Sequence, residues 1–258
     1  MKKIVISQPM FMPWRGMFEQ IKLSDIFVFY DDVQLPRGGG KGRGFITRVQ
    51  IKSVDGIKWL SLPISRANQG KQLIQDAMFA HGNWRLQHLE HIRQCYRSSP
   101  YFEQIFESVI LPIYNFETDS VSEFCMHSMR VLAAPLGVAT DWQISSRIER
   151  PGHADSSQRV LELCRYFQAT HYITGLGALN YIDYDLFEAA GVRIEFMKYK
   201  LTQYPQQHGT FNPYVSAIDL LFNVGNSAAH YLDSCPLYWR DYLKTECTRL
   251  PDTSGFTR

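Results

Sequence analysis

Lys3-Ile4-Val5-Ile6-Ser7-Gln8-Pro9-Met10-Phe11-Met12-Pro13-Trp14-Arg15-Gly16 opens the chain, and its continuation through Ile26-Phe27-Val28-Phe29-Tyr30 to Asp31-Asp32 decides the fold. The apolar run from Lys3 to Ser7 reads as a buried strand, Arg15 to Leu23 as a short helix, and Ile26 to Tyr30 as a second strand. A β-loop-α-β opening reads as two parallel strands joined by a helix. The carboxyl end of the first strand then lies beside a helix amino terminus, where open α/β sheets bind ligands. Residues 8–15 occupy that place.

Working outward, Phe45 to Ile51 and Trp59 to Pro63 flank Ser53-Val54-Asp55-Gly56, whose Asp-Gly pair predicts a β-hairpin. Leu89, Ile92 and Tyr96 fall at helical spacing, and further helices are expected over Tyr101 to Tyr114 and Asp119 to Ala134, punctuated by Pro100 and Pro135. A second α/β stretch follows. Asp155 is placed to cap a helix with Val160, Leu161, Cys164 and Phe167 on its apolar face, before a strand over His171 to Thr174. A helix near Asp183 to Ala190 precedes Gly191 and a strand over Val192 to Met197.

The expected fold class is therefore α/β, a Rossmann-like parallel or mixed sheet with a helical middle segment. Residues 1–80 form an N-terminal α/β half with the hairpin, 81–137 a helical segment, 138–233 a C-terminal α/β half and 234–258 a tail, together one compact domain. A chain of 258 residues with 45% hydrophobic and 20% charged residues supports such a core. A net charge of +2 leaves no global field that would select a nucleic-acid duplex. The apolar run at the amino terminus is broken by Gln8 and Pro9 before a signal-peptide core is complete, and no stretch is long enough for membrane insertion, so a cytoplasmic location is expected. Five cysteines without a CxxC pair read as reduced core thiols. His88 and His91 lie three apart on one predicted helix without a third ligand, which reads as a surface helix; no metal site is expected.

The chain carries, in order, Gln8-Pro9-Met10-Phe11-Met12-Pro13-Trp14-Arg15-Gly16, Asp25, Asp31-Asp32-Val33-Gln34, Trp59-Leu60-Ser61-Leu62-Pro63, Ser145-Ser146, Tyr172-Ile173-Thr174-Gly175, Tyr181-Ile182-Asp183, and Phe211-Asn212-Pro213 leading to Ser216 through Gly225. This ordered set resembles the WbqC-like family of bacterial surface-glycan loci from end to end, excluding mainly the last ~25 residues. The resemblance implies decoration of an amino sugar in O-antigen or related lipopolysaccharide biosynthesis, with glycine or another small acyl group as donor moiety. The expected partners are a nucleotide-linked amino sugar and a small acyl or aminoacyl donor.

A second resemblance is to pantothenate synthetase and its HIGH-motif, nucleotidyltransferase-like relatives, in which a strand-end loop and a later Ser/Lys-rich loop hold ATP phosphates. Pro13-Trp14-Arg15-Gly16-Met17 occupies the first place and Ile144-Ser145-Ser146-Arg147 the second. Trp14 and Met17 stand where those enzymes carry histidines. The cofactor is left open on this reading, with ATP and Mg as the candidate that the second resemblance implies.

Each candidate residue has a bland reading beside the chemical one. Asp31 and Asp32 end the second predicted strand and could serve as base or magnesium ligand, or form a solvated turn. Asp219 could act in catalysis or simply favour the first turn of the helix that Ser216 caps, with Asn223 one turn on. Gln8, Pro13, Trp14 and Gly16 could form an anion and stacking loop or a turn that plugs the core. Lys41 and Arg43, among glycines from Gly38 to Gly44, suit a lid over an anionic substrate or an ordinary flexible loop, and lack the Walker order. Ser145, Ser146 and Arg147 offer hydroxyls and a guanidinium to phosphate oxygens, or form an ordinary loop. Gly175 and Gly177 allow close backbone approach after a strand, and Tyr181 could bond a sugar, without a complete dinucleotide fingerprint. The leading expectation is an amide-forming acyl or aminoacyl transferase or ligase. The rivals are a nucleotidyltransferase acting on a sugar phosphate and a noncatalytic sugar-nucleotide-binding module.

Overall fold

The computed structural model describes residues 1–36, 46–65, 72–149 and 156–247. Lys41 and Arg43, with the rest of the expected lid, and the expected cap Asp155 lie outside these residues. The elements in chain order are β1 (Lys3–Ser7), α1 (Arg15–Lys22), β2 (Ile26–Phe29), β3 (Arg48–Ser53), β4 (Gly56–Ser61), α2 (Trp84–Tyr96), α3 (Phe102–Ile105), α4 (Leu111–Tyr114), α5 (Val121–Ala133), β5 (Asp141–Ile144), α6 (Ser156–Tyr166), β6 (His171–Thr174), α7 (Tyr184–Ala189), β7 (Arg193–Lys198), α8 (Ala217–Val224), β8 (Cys235–Tyr238) and α9 (Trp239–Cys247).

Six strands form one mixed sheet in the order β5-β2-β1-β6-β7-β8, parallel except for β8, which pairs antiparallel with β7. Alternation along each strand supplies both faces. Val5, Phe27 and Phe29 enter one core with α1, α5 and α8, while Ile4, Ile6, Ile26 and Val28 enter a second with α6, α7 and α9. Each fully buried Phe or Ile contributes on the order of 2 kcal/mol before chain entropy is charged against it. β3 and β4 make the separate hairpin, with Ser53 opposite Gly56 and the left-handed backbone at Gly56 (φ 107°) that a glycine permits.

The order of the strands creates the site. β1 passes through α1 to β2 on one side, whereas β6 passes through α7 to β7 on the other, so the connections diverge above the carboxyl ends of the neighbouring β1 and β6. That divergence is the crevice of an open α/β sheet.

Two expectations are corrected. Within the expected tail, residues 235–247 form a strand and a helix, because Leu237, Trp239 and Tyr242 pack on the second core and Glu188 binds the Tyr238 hydroxyl, the Trp239 indole N–H and Arg240. His88 is not on a surface. It is buried against Phe11 and Trp84 with Nδ1 3.1 Å from the Tyr114 hydroxyl, and burial pushes its pKa down to about 4, so it is a neutral core histidine. Among the described residues no group of three His, Cys, Asp or Glu is placed to hold a metal ion, and no helix is long and apolar enough to cross a membrane.

Candidate functional site at the strand ends

A cavity of about 700 Å³ opens at the divergence of β1 and β6. Its wall includes Ser7 at the end of β1 and Gln8 after it, Tyr30 and Asp32 after β2, Tyr172, Thr174, Gly175 and Gly177 on and after β6, and Tyr199 after β7. Met10, Met17, Val33 and Val160 supply the apolar part, and Arg159 reaches in from the first turn of α6. Such a mixture of a few fixed polar groups in an apolar frame is how small-molecule sites are built. A groove of about 800 Å³ runs along the helical segment by Ala80, Arg85 and Asp119. It is less suited to chemistry, since Arg85 is taken up by the Tyr114 and Thr118 carbonyls.

The two strand-end aspartates diverge, as alternation requires. Asp32 faces the cavity; Asp31 turns behind it. Ser145 Oγ donates to Asp32 Oδ1 at 2.5 Å and approaches Asp31 Oδ1 at 3.2 Å. Ser146 donates to Asp31 twice, from its backbone N–H at 3.0 Å and from Oγ at 2.8 Å. Arg159 Nη2 lies 3.3 Å from both Asp32 Oδ2 and the Ser145 carbonyl. Of these five side chains all but that of Ser146 are buried, and buried carboxylates require such partners.

The loops 8–16 and 145–147, which the second resemblance assigns together to ATP phosphates, do not line the cavity together. Gln8 and Met10 line the cavity, but Ser145 and Ser146 stand behind the carboxylates, and Arg147 is exposed outside it. The hydroxyls that the ATP resemblance assigned to phosphate are donated to Asp31 and Asp32. This turn does not fit a phosphate cradle.

The loop after β1 is pinned rather than mobile. Met12, with φ 38°, donates its N–H to Ser128 Oγ and accepts from Ser216 Oγ, while the Pro13 carbonyl accepts from Ala217 N–H. Strain at a buried non-glycine residue persists only where several contacts fix it. Gly16 serves the Trp14 indole, since a Cβ there would lie inside that ring; this close packing, not anion binding, explains the glycine. Pro13 is buried, and Trp14 touches Tyr199 on one side and Tyr214 on the other, with centroids 4.8 and 5.6 Å apart.

Asp219 is far from a bystander, but it is not in the cavity. Its carboxylate accepts from Tyr204 (2.7 Å), Gln206 (2.7 Å) and Tyr96 (3.0 Å), and Asn223 Nδ2 donates to its carbonyl. Burial raises the Asp219 pKa, opposed by those hydrogen bonds and by Lys52. Asn223 Oδ1 accepts from the Gln207 N–H. Both residues thus anchor residues 204–212 to α8 and α2. Gly175, Gly177 and Tyr181 do line the cavity, Tyr181 from an exposed position.

Arg159 and Tyr199 are among the cavity residues that sequence reasoning missed, with Gln20, Tyr30 and Thr174. Leu163 lies one helical turn after Arg159 and extends the apolar stripe of α6 under it, which is the available signal; Tyr199 had none. Beneath Tyr199, Glu19 and Arg15 form a buried pair (Oε1 to Nε 3.7 Å), with Arg15 Nη1 donating to the Thr202 carbonyl at 2.6 Å. Burial pushes Glu19 up from 4.5 to about 7. A carboxyl whose folded pKa exceeds its unfolded one keeps a proton that the unfolded chain releases, so stability falls as pH rises from about 4.5 through about 7. Glu19→Gln is expected to remove that slope, at most about 3 kcal/mol. Chemical denaturation of both proteins at pH 5 and pH 8 checks it; parallel pH dependences would refute the assignment.

The chain has an α/β fold of the Rossmann-like type, with a polar cavity at the switch point of its mixed sheet, where such sheets bind ligands. Residues 8–231 match the WbqC-like protein family, and the chain belongs to it. The uncharacterized protein Rv1507c of Mycobacterium tuberculosis is 30% identical over 237 residues, covering 91% of this chain and 99% of that one. No solved structure matches the chain.

Proposed function

We propose that the chain is an acyl or aminoacyl transferase forming an amide on a nucleotide-linked amino sugar, in the O-antigen and surface-glycan setting that the family resemblance implies. The observation that carries this reading is Asp32, a carboxylate held by Ser145 and Arg159 in the wall of a cavity rich in hydroxyl and amide side chains. Hydroxyl and amide groups suit a sugar ring, and a carboxylate suits the one amine on it. The sugar nitrogen attacks the acyl carbonyl, a C–N bond forms, the bond to the donor's leaving group breaks with its electron pair, and the ammonium proton passes to Asp32. Gln8, Gln20, Tyr172 and Tyr199 orient the sugar; Gly175 and Gly177 let it approach the backbone.

Mass spectrometry tests it. Purified chain incubated with amino-sugar nucleotides and thioester-activated glycine or acetate is expected to yield a sugar nucleotide heavier by one acyl residue. Release of pyrophosphate from a sugar 1-phosphate and a nucleoside triphosphate, without amide formation, would replace it with a nucleotidyltransferase.

A further inference from the structure

We propose that an aromatic slot beside the strand-end cavity binds a nucleobase. This deepens the preceding proposal, resting on the large cavity as the sugar site, and it assigns the nucleotide end of the same substrate. The slot measures about 330 Å³ and is walled by Trp14, Trp59, Tyr214 and Met10, with Arg48 and Gln50 at its polar edge. Met10 lines both spaces, and Trp14 stands between Tyr199 of the cavity and Tyr214 of the slot. The two spaces are thus adjacent, and the proposed ligand passes by Met10 from one to the other.

Polarity divides the ligand between them. The cavity carries Gln8, Gln20, Tyr30, Asp32, Thr174 and Tyr199, which match a ring edged with hydroxyls. The slot presents aromatic and thioether surface, which matches the face of a flat base. Trp59 and Tyr214 are 48% and 58% exposed, so ring surface stays open to solvent where a stacking partner would cover it. The Arg48 guanidinium lies 4.4 Å from the Trp59 ring centroid, a stacked arrangement that a base can extend. Gln50, directly opposite Trp59 in the hairpin, carries both a donor and an acceptor on its amide, the pattern that reads the edge of a base.

The placement also explains why motifs far apart in the chain converge. Pro13-Trp14 comes from the β1 loop, Trp59 from β4 and Tyr214 from the segment before α8. The isolated bridge between Trp14 and Ser216, and the Ser216 N–H donating to the Gln50 carbonyl at 2.8 Å, tie the three together. The slot's walls are thus fixed by main-chain bonds before any ligand arrives, which limits the ordering entropy lost on binding.

The test is calorimetric titration of the full chain with UDP, dTDP, GDP, CDP and ADP, and with glucosamine 1-phosphate as a ligand lacking the base. At least one nucleoside diphosphate is expected to bind. Trp59→Ala is expected to weaken it by about tenfold to thirtyfold, Tyr214→Ala similarly and Trp59→Phe less, the loss that removing one stacking face produces. Glucosamine 1-phosphate should bind all of them alike. Thermal melts of the two alanine variants should match wild type, since both side chains stand half in solvent.

No binding of any nucleoside diphosphate overturns the proposal, as does equal affinity in wild type and Trp59→Ala. Weakening of glucosamine 1-phosphate to the same extent overturns it too, because the aromatic rings would then be packing on the sugar. The amide-forming reading fails differently, by showing Trp59-dependent nucleotide binding with no acyl transfer.

Discussion

Asp219→Ala is expected to destabilise the chain by about 3–5 kcal/mol, because it strands donors whose burial is supportable only with that acceptor. Tyr96, Tyr204 and Gln206 all donate to the carboxylate, and Tyr96 and Tyr204 are buried. Each unsatisfied group costs roughly 1–3 kcal/mol, and rotation of the tyrosine hydroxyls recovers part of the sum. For a chain of this size the loss amounts to roughly 10 °C in the thermal midpoint. It is a large share of the ~5–15 kcal/mol by which domains are stable. Asp219→Asn keeps an acceptor and is expected to lose less than half as much. Melting curves of both variants decide it. A normal melt accompanied by lost turnover would return Asp219 to a catalytic role.

Asp32→Asn is expected to show the opposite pattern, with turnover lowered by about 10²-fold or more and sugar-nucleotide affinity close to wild type. The amide preserves the carboxylate's shape and one oxygen, which can keep the Arg159 contact, while its NH₂ faces the Ser145 hydroxyl, an atom able to accept. What disappears is the capacity to take the ammonium proton in the proposed transfer. Steady-state rates, calorimetry and a melt separate the outcomes. Unchanged turnover would remove Asp32 as base, and an early melt with lost affinity would make it, like Asp219, an anchor.

The contrast between these carboxylates measures how far the residues alone could be read. Asp31-Asp32 was legible as a strand-end pair because strand periodicity is local: four apolar residues precede it, and β2 ends where the run stops. The hairpin turn, the Ser216 cap, the helix beginning near Asp183 and the helix carrying Val160, Leu161 and Cys164 were legible for the same reason, each being set within a few residues. β5 went unnoticed. It is an edge strand with an exposed Asp141 and no alternation strong enough to mark it, and it exists because β2 offers an unpaired edge.

Sequence by itself determined the repeated strand-loop-helix units, the position of the loop after β1 and the presence of two acidic groups at the end of β2, all consequences of short-range periodicity and sterics. Only the tertiary structure decided that Ser145 and Ser146 serve those acids instead of a phosphate, that Arg159 joins Asp32 across more than a hundred residues, and that Asp219 anchors a loop. The physical reason is desolvation. A carboxylate's role depends on which donors surround it once water is removed, and those donors arrive from α2, α6 and the segments after β5 and β7, whose meeting is set by the order of strands in the sheet.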